Sequence, residues 1–344
     1  MAAQIQCGLD VGSQTIKVVE LKKEEGKIRI LALGTHPVPP GGLISENQLD
    51  QEAVSTEIKK LFGEVKITTR DVNSALPESS VFAHVIEVPQ VSEEELSEAL
   101  RWEGEQYIPL PLSEVYLDFS VIKKPQNKSE KMTVLLVAAP LRMIEKYTKI
   151  IEGAGLNLLS LETEILAVSR ALGSQLPPEK TLLVVHLGAA TTDFSIVRGG
   201  IIFFTRSIST GGEALARAVA QEFGFTLAQA EEYKRTYGLE KDKLEGKVLG
   251  VIKPLVDTII EETKRAITFF EDKNPDEKIG SLILSGGTAK LPGMVSYLAE
   301  NTGIETQVAN PWITFTVDPK VISAFAEDGP IFAVATGLAM KETV

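Results

Sequence analysis

Cysteine is almost absent from this chain. Cys7 stands alone among 344 residues, which excludes an internal disulfide and any cysteine-rich metal site. Histidine is nearly as scarce. His36, His84 and His186 lie in unrelated segments, none with a partner at metal-ligand spacing, and no Gly-x-Ser-x-Gly nucleophile elbow occurs. Positive charge is also short: Lys+Arg 35 against Asp+Glu 47 leaves a net charge of −12. No basic cluster offsets that balance, so a phosphate backbone is repelled and no nucleic-acid partner is expected. No apolar run approaches the ~18–20 residues of a bilayer span. The first residues carry no basic-then-apolar leader, and the last, "FAVATGLAMKETV", no basic amphipathic anchor. These absences predict a cytoplasmic protein that meets a membrane only through a partner.

What remains is an ordinary globular composition, 44% hydrophobic and 24% charged, with no low-complexity tract. The length exceeds one usual core, so two or three domains are expected.

The informative stretches are turns. "VVHLGAATTDFS" at residues 184–195 runs from apolar strand to glycine and small hydroxyl residues, then to a second apolar strand. "CGLDVGSQTIKVVEL" at residues 7–21 has the same plan, and aligning Gly12 with Gly188 sets Asp10 opposite His186, 176 residues apart. That is about half the chain and suggests two similar halves with a cleft between them. A third junction, Gly286-Gly287-Thr288, follows the apolar run "SLILS". Phosphates need closely approaching backbone N–H donors, hence glycines and small residues at strand-to-turn junctions. Asp10 could hold Mg²⁺ directly or through water, and Lys17 could fold back to the phosphates. Any one of these turns reads equally as a plain hairpin; three in this order point to a nucleotide.

Between the halves, residues 66–152 read as a different module of strand, strand, helix, strand, strand, helix. Its first helix is announced by a capping box, Ser92 with Glu95, and by Val91 and Leu96 at staple positions. Residues 114–122 and 132–140 alternate as strands around a polar loop, and Pro140 is expected to open the last helix. In the second half, helices are expected at "GGEALARAVAQEFG" and "LAQAEEYKRTYG", then a longer one that Pro254 should start or kink. The adjacent Glu261 and Glu262 read as a solvated face of that helix. The run Glu93-Glu94-Glu95 suits the positive end of a helix dipole.

"DVGSQTIK", "LGAATTD" and "LSGGTAKLPGM", in this order, resemble the two phosphate motifs and the adenosine motif of the actin/sugar-kinase/chaperone ATPase superfamily. "AEEYK" at residues 230–234 resembles the helix that flanks the ribose and adenine. "VVELKKEEGKIRILALGTHPVPPGGLISENQL" and "LRWEGEQYIPLPLSEVYLDFSVI" narrow the resemblance to the PilM family of type IV pilus assembly, over essentially the whole chain.

The resemblance implies an α/β actin-like ATPase fold of two duplicated lobes around a nucleotide cleft, with an inserted α+β subdomain in the first. The first lobe would comprise residues 1–65, 153–180 and 320–344, the insert 66–152, and the second lobe 181–319, with helical nucleoside-binding elements near 211–250. By position, Gly12, Ser13, Gln14, Thr15 and Lys17 would hold phosphates, with Asp10 in the magnesium shell. Gly188, Ala189 and Ala190 would form the second phosphate hairpin. Gly211, Gly212, Glu231, Lys234, Gly286, Gly287 and Thr288 would enclose the nucleoside. Glu164 stands where the superfamily often orients the attacking water. The implied ligands are ATP and Mg²⁺, and the implied partner is the cytoplasmic N-terminal peptide of the inner-membrane protein PilN. Pilus motor ATPases and self-association are further candidate contacts, and the implied location is peripheral at the inner membrane.

His186 departs from this pattern, because the superfamily usually has an aspartate there. Histidine is a poor magnesium ligand and, if protonated, would oppose the metal. The residue reads either as a satisfied strand-end histidine in a site kept for binding or as a replacement general base. The first reading implies slow or absent hydrolysis. Two other functions compete: an FtsA-like filament-forming division protein and a sugar-kinase-like phosphotransferase. The latter lacks an obvious substrate aspartate beside Ala189 and Ala190. Trp102, Tyr107 and Ile108 are candidates to wall a peptide groove, with core packing the expected fate of Trp102.

Overall fold

β1 (Gln4–Val11) and β2 (Thr15–Glu24) are apolar runs interrupted by the Gly12 turn, and they pair antiparallel with Asp10 opposite Lys17. The computed structural model in which they are seen describes residues 4–24, 27–43, 45–123, 127, 131–173, 179–313, 315–317 and 325–341. β3 (Lys27–Pro37) extends the meander on β2, while β4 (Asp71–Leu76) and then β8 (Asn157–Thr163) add in parallel beyond β1. With β14 (Thr316–Val317) on β3, the sheet order is β14-β3-β2-β1-β4-β8.

The second lobe repeats this wiring. β9 (Thr181–Leu187), β10 (Thr192–Arg198) and β11 (Ile201–Ile208) form an antiparallel meander, and β12 (Ile279–Ser285) and β13 (Thr306–Val308) follow in parallel beyond β9. Its order is β11-β10-β9-β12-β13, the first sheet's order without the β14 edge. Asp193 stands opposite His186 where Asp10 stands opposite Lys17. The internal repeat legible at Gly12 and Gly188 therefore extends through five strands.

Helices cover the sheets. α1 (Gln48–Val65), capped by Asn47, and α3 (Leu141–Gly153) pack on the first sheet through Ile58, Leu61, Tyr147 and Ile150. α5 (Gly212–Phe223), α6 (Leu227–Tyr237), α7 (Lys247–Lys273) and α8 (Met294–Thr302) share a core with the second sheet. α4 (Glu164–Gly173) and α9 (Gly329–Ala339) lie between the lobes, sharing a core with Val184 of β9 and Ile283 of β12. α9, GPIFAVATGLA, is buried at every position except the half-buried Ile331, as an apolar-all-round sequence requires. It approaches its neighbours at backbone contact. A Cβ on Gly337 would sit 1.8 Å from the Ala167 carbonyl oxygen of α4, and one on Gly8 of β1 would sit 2.0 Å from the Ala335 carbonyl oxygen.

The expected insert divides differently from its sequence outline. β5 (Phe82–Val88), α2 (Glu93–Gly104), β6 (Val115–Lys123) and β7 (Met132–Pro140) form a separate sheet of order β5-β7-β6 with its own core, including Ile86, Leu96, Leu100, Val134 and Leu136. β4 and α3, by contrast, belong to the first lobe's sheet and core. Most of the polar loop between β6 and β7 lies outside the described residues. The capping box at Ser92 and Glu95 is present.

Three local expectations change, and at Pro254 only the kink alternative remains. Pro140 ends β7 and serves as the N-cap of α3, one residue earlier than a first helical position. Pro254 lies inside α7, which began seven residues before it. Glu262 is buried, because α7 turns it toward Arg206 of β11 and Arg265, and it pairs with both; Glu261 stays exposed. Trp102 is 76% exposed: Leu96 and Leu100 turn the opposite face of α2 to the core.

The α4–α9 crossing sets a steric test. Gly337→Ala should lower stability by about 3 kcal/mol or more, because its methyl group meets backbone that cannot yield. Gly63→Ala, at an exposed α1 position with nothing within 4 Å, should add about 0.5–1 kcal/mol through helix propensity. Urea denaturation of the two variants reads both signs.

Candidate functional site

The two glycine hairpins are built alike. The Gly12 amide donates to the Thr15 carbonyl at 3.1 Å and the Gly188 amide to the Thr191 carbonyl at 2.9 Å. Those bonds close the turns. The amides of Ser13, Gln14, Ala189 and Ala190 find no protein acceptor among the described residues, the state expected of donors that face a ligand. In the first hairpin Lys17 Nζ donates to Asp10 Oδ2 at 2.8 Å, both side chains nearly enclosed. In the second, His186 Nδ1 and Ser285 Oγ share a hydrogen bond of 2.9 Å, with Ser285 the parallel neighbour of His186 on β12.

Four carboxylates, Asp10, Glu78, Glu164 and Asp193, lie near one another at the cleft floor, and Lys17 lies beside the first and third. Glu164, first residue of α4, is pushed well above the usual carboxylate range by burial and then by the charges of Asp10, Asp193 and Glu78, against the opposing pull of Lys17. Burial raises Asp193 to about 6, although it accepts hydrogen bonds from Ser207 Oγ at 2.5 Å and Thr191 Oγ1 at 3.1 Å. Burial lowers His186 to about 4, outweighing the nearby Asp10 charge. His186 is therefore neutral at physiological pH and adds no charge that opposes a cation.

The roof comes from the second lobe. α5 begins where Gly212 N donates to the Gly188 carbonyl and Glu213 N to the Ala189 carbonyl, both at 2.9 Å, so the hairpin satisfies two of the helix's orphan donors. A Cβ at Gly211 would lie 2.5 Å from the Ala189 carbonyl oxygen, and one at Gly212 2.5 Å from Thr288 Oγ1. Lys234 Nζ donates to the Gly212 carbonyl at 3.0 Å and to Glu231 Oε2 at 2.6 Å, and Thr288 Oγ1 donates to the Gly188 carbonyl at 3.3 Å. Gly286 has φ +85°, and a side chain there would strike the Leu187 carbonyl. Gly287 instead has open space at its Cβ position. Gln14 Nε2 reaches across the cleft and donates to Glu213 Oε1 at 2.7 Å.

The sequence-derived residues thus fall into two groups. Asp10, Gly12, Ser13, Gln14, Thr15, Lys17, Glu164 and His186 line the floor or its hairpins. Gly188, Ala189, Ala190, Gly211, Gly212, Glu231, Lys234, Gly286, Gly287 and Thr288 form the second-lobe side. The sequence reading missed Asp193, Glu213, Ser285 and Glu78. The repeat could have found Asp193, since it stands 176 residues after Lys17 as His186 does after Asp10. Glu213 follows the Gly211-Gly212 pair, but nothing local shows that it reaches Gln14. Leu76-Pro77-Glu78-Ser79-Ser80 reads only as a turn.

The free hairpin amides, Lys17, and the open space at Gly287 fit a phosphorylated nucleoside. Asp10 beside a neutral His186 fits a magnesium ion held largely through water, since Mg²⁺ keeps several waters and takes one or two carboxylates.

Comparison with known proteins agrees with this geometry. The chain matches the family model described as Type IV pilus assembly protein PilM over residues 8–343. A solved structure, the PilM-PilN type IV pilus biogenesis complex, superposes with TM-score 0.87 at 32% identity, covering 97% of each chain. The cell division protein FtsA of Streptococcus pneumoniae is 21% identical over 347 residues, covering 88% of this chain and 75% of FtsA. MreB5 of Spiroplasma citri, solved with AMPPNP, has TM-score 0.52 at 15% identity over 97% and 94% of the two chains. The fold is that of the actin-like ATPases. No helix among the described residues is long and apolar enough to cross a membrane.

The depressed His186 pKa carries a signed pH dependence. Between pH ~4 and ~6.5 the unfolded chain binds a proton that the folded site refuses, so the histidine's share of stability is present above that window and lost as pH falls through it. Relative to His186→Asn, the wild type should lose up to about 3 kcal/mol across the window. Urea midpoints of both proteins at a series of pH values measure it, and nitrogen NMR should show a neutral His186 at pH 6.

Proposed function

This chain belongs to the Type IV pilus assembly PilM family, and on that premise we propose that it is a nucleotide-loaded scaffold of the pilus assembly platform at the cytoplasmic face of the inner membrane. The observation that carries the reading is the pair of facing hairpins, with free amides on both sides and Lys17 at the floor. In this reading ATP lies between the lobes. The hairpin amides and Lys17 take its phosphates, Asp10 holds Mg²⁺ largely through water, and Glu231, Lys234 and Thr288 bound the nucleoside side. The ion supplies charge neutralisation of the phosphates when bound. The protein's own part is to hold the two hairpins at a fixed separation.

Hydrolysis is slow in this reading. A neutral His186 bonded to Ser285 replaces the acid that would help order the metal shell, and Glu164 is held in a site that favours its protonated form. A protonated Glu164 cannot accept a proton from water, so it is a poor general base.

The proposed membrane tether is the N-terminal peptide of PilN. The neighbouring solved structure is a PilM-PilN complex, and this chain presents exposed apolar side chains where the insert meets the first lobe. Tyr116 of β6 is 60% exposed and lies across from Ala139, and Leu141 follows two residues later at the start of α3. Further contacts with pilus motor ATPases and with other copies of the chain belong to the same scaffold reading, and Trp102 is the exposed side chain to test for them.

Titration calorimetry on nucleotide-free protein should show Mg²⁺-dependent ATP binding. Lys17→Ala should weaken it ~10–100-fold, the loss of one charge-assisted contact; no heat from the wild type would refute nucleotide binding. Turnover by the isolated protein should stay below ~1 s⁻¹, the low end of ordinary enzymes, with faster release of phosphate arguing for a true phosphotransferase. For the partner, Tyr116→Ala should weaken PilN-peptide binding by about tenfold or more, as loss of a buried aromatic anchor does. ATP and peptide should tighten each other's binding by the same factor. Unchanged peptide affinity in the Tyr116 variant would remove this surface from the site.

A further inference from the structure

The cross-strand pairs beside the two hairpins differ. In the first, Asp10 and Lys17 stand opposite each other and are bonded. In the second, His186 and Asp193 stand opposite each other, but each is bonded elsewhere. Asp193 takes Ser207 Oγ on Oδ1 and Thr191 Oγ1 on Oδ2, while His186 Nδ1 meets Ser285 Oγ at 2.9 Å. His186 Nε2 is left without a protein partner among the described residues. The residue is only 9% exposed, so a polar atom of a nearly buried side chain stands open.

Its direction follows from its surroundings. A Cβ on Gly188 would lie 3.9 Å from His186 Cδ2, the ring carbon bonded to Nε2. That edge of the ring therefore lies on the side of the second hairpin, whose Ala189 and Ala190 amides have no protein acceptor among the described residues. The charges that reach the imidazole, Asp10 and Lys17, belong to the first hairpin. Nε2 thus faces the space that the two hairpins share.

Ser285 decides which nitrogen carries the proton. Its side chain is fully buried, and the bond to His186 is its only one among the described residues. If Nδ1–H donated, the Ser285 hydroxyl proton would be buried without an acceptor, which costs its full desolvation penalty. With Ser285 donating, Nδ1 accepts, and a neutral ring then carries its proton on Nε2. A protonated ring carries one there too, so the donor at Nε2 does not depend on the charge state.

We propose that His186 is a phosphate-binding residue of the cleft, whose Nε2–H donates to a phosphate oxygen of a nucleoside di- or triphosphate held between the hairpins. The proposal rests on the nucleotide reading above and gives the departure from aspartate a task. An acid at this strand end offers acceptors to a magnesium shell and repels phosphate; the imidazole offers phosphate a donor. Part of the affinity then needs no metal, and the gain from Mg²⁺ is smaller than with an acid in its place. The only lone pair of the neutral ring is held by Ser285, so His186 takes no proton from an attacking water and is not a general base.

The test is titration calorimetry of full-length, nucleotide-free protein with ATP, once in Mg²⁺ and once in EDTA. His186→Gln places an amide N–H near the position of Nε2, and His186→Asn places one near Nδ1 instead. In EDTA the Asn variant should bind ATP about tenfold more weakly, the loss of one charge-assisted hydrogen bond. The Gln variant should stay within about threefold of the wild type. His186→Asp should gain more affinity from Mg²⁺ than the wild type does, and an equal or smaller gain would overturn the exchange of a metal-shell acceptor for a phosphate donor. Wild-type affinity in the Asn variant, or equal losses in Asn and Gln, would overturn the proposal and leave the nucleotide reading standing. No binding by the wild type ends both. If the variants do not fold, nitrogen NMR of the wild-type histidines decides. Without nucleotide, His186 should carry its proton on Nε2 and not on Nδ1, and ATP should shift that Nε2–H resonance. The opposite tautomer, or a resonance unmoved by bound ATP, would refute the assignment.

Discussion

The approach of α9 to α4 and β1 at backbone contact is the constraint on which the cleft depends. Gly337 lies against the Ala167 carbonyl and Gly8 against the Ala335 carbonyl, at separations where no side chain fits. Close packing without side chains between helices leaves little freedom to slide or rotate. α4 carries Glu164 at its start and β1 carries Asp10 near its end. Holding these two elements on α9 therefore sets the distance between the acid at the cleft floor and the first hairpin. α9 and α4 also share a core with β9 and β12 of the second lobe, which ties His186 and Ser285 to the same frame.

Within that frame the charges are unusual for a buried site. Asp10, Glu78, Glu164 and Asp193 lie near one another, with Lys17 bonded to Asp10 and close to Glu164, and three of the four acids are held above their ordinary range. Buried carboxylates without partners are costly, and proton uptake is the common way out. In the proposed reading, a magnesium nucleotide would bring its own cations to these acids. His186 fits the same logic: a neutral imidazole bonded to Ser285 keeps the strand end polar and satisfied without adding charge of either sign.

The Gln14–Glu213 bond links the first hairpin to α5 across the cleft. Gln14 reaches across to α5 through its side chain, while its carbonyl accepts from Val38 at 2.9 Å in the segment leading to α1. β4 and α3, which flank the insert in sequence, belong to this same lobe's sheet and core.

Much of this was legible without the structure. Strands flanking glycine turns, the capping box at Ser92 and Glu95, the repeat that pairs Gly12 with Gly188 and the resemblance to actin-like ATPases all depend on local residue types and spacing, which the chain carries in its own order. Hydrophobic periodicity alone could not say which sheet a strand joins. β4 and α3 look like parts of the insert in sequence, but their apolar faces match the first lobe's core. Trp102 and Glu262 were misplaced because a helix's polar or apolar face is defined only by what packs on it: α2 turns Trp102 outward, and α7 turns Glu262 toward Arg206 and Arg265. The contacts of Asp193 with Ser207 and of Glu213 with Gln14 join residues far apart in the chain. The sequence by itself determined the turns, the caps and the repeat, because each is written in neighbouring residues; tertiary packing alone decided which acids face one another across the cleft, because burial and charge proximity are properties of the assembled lobes.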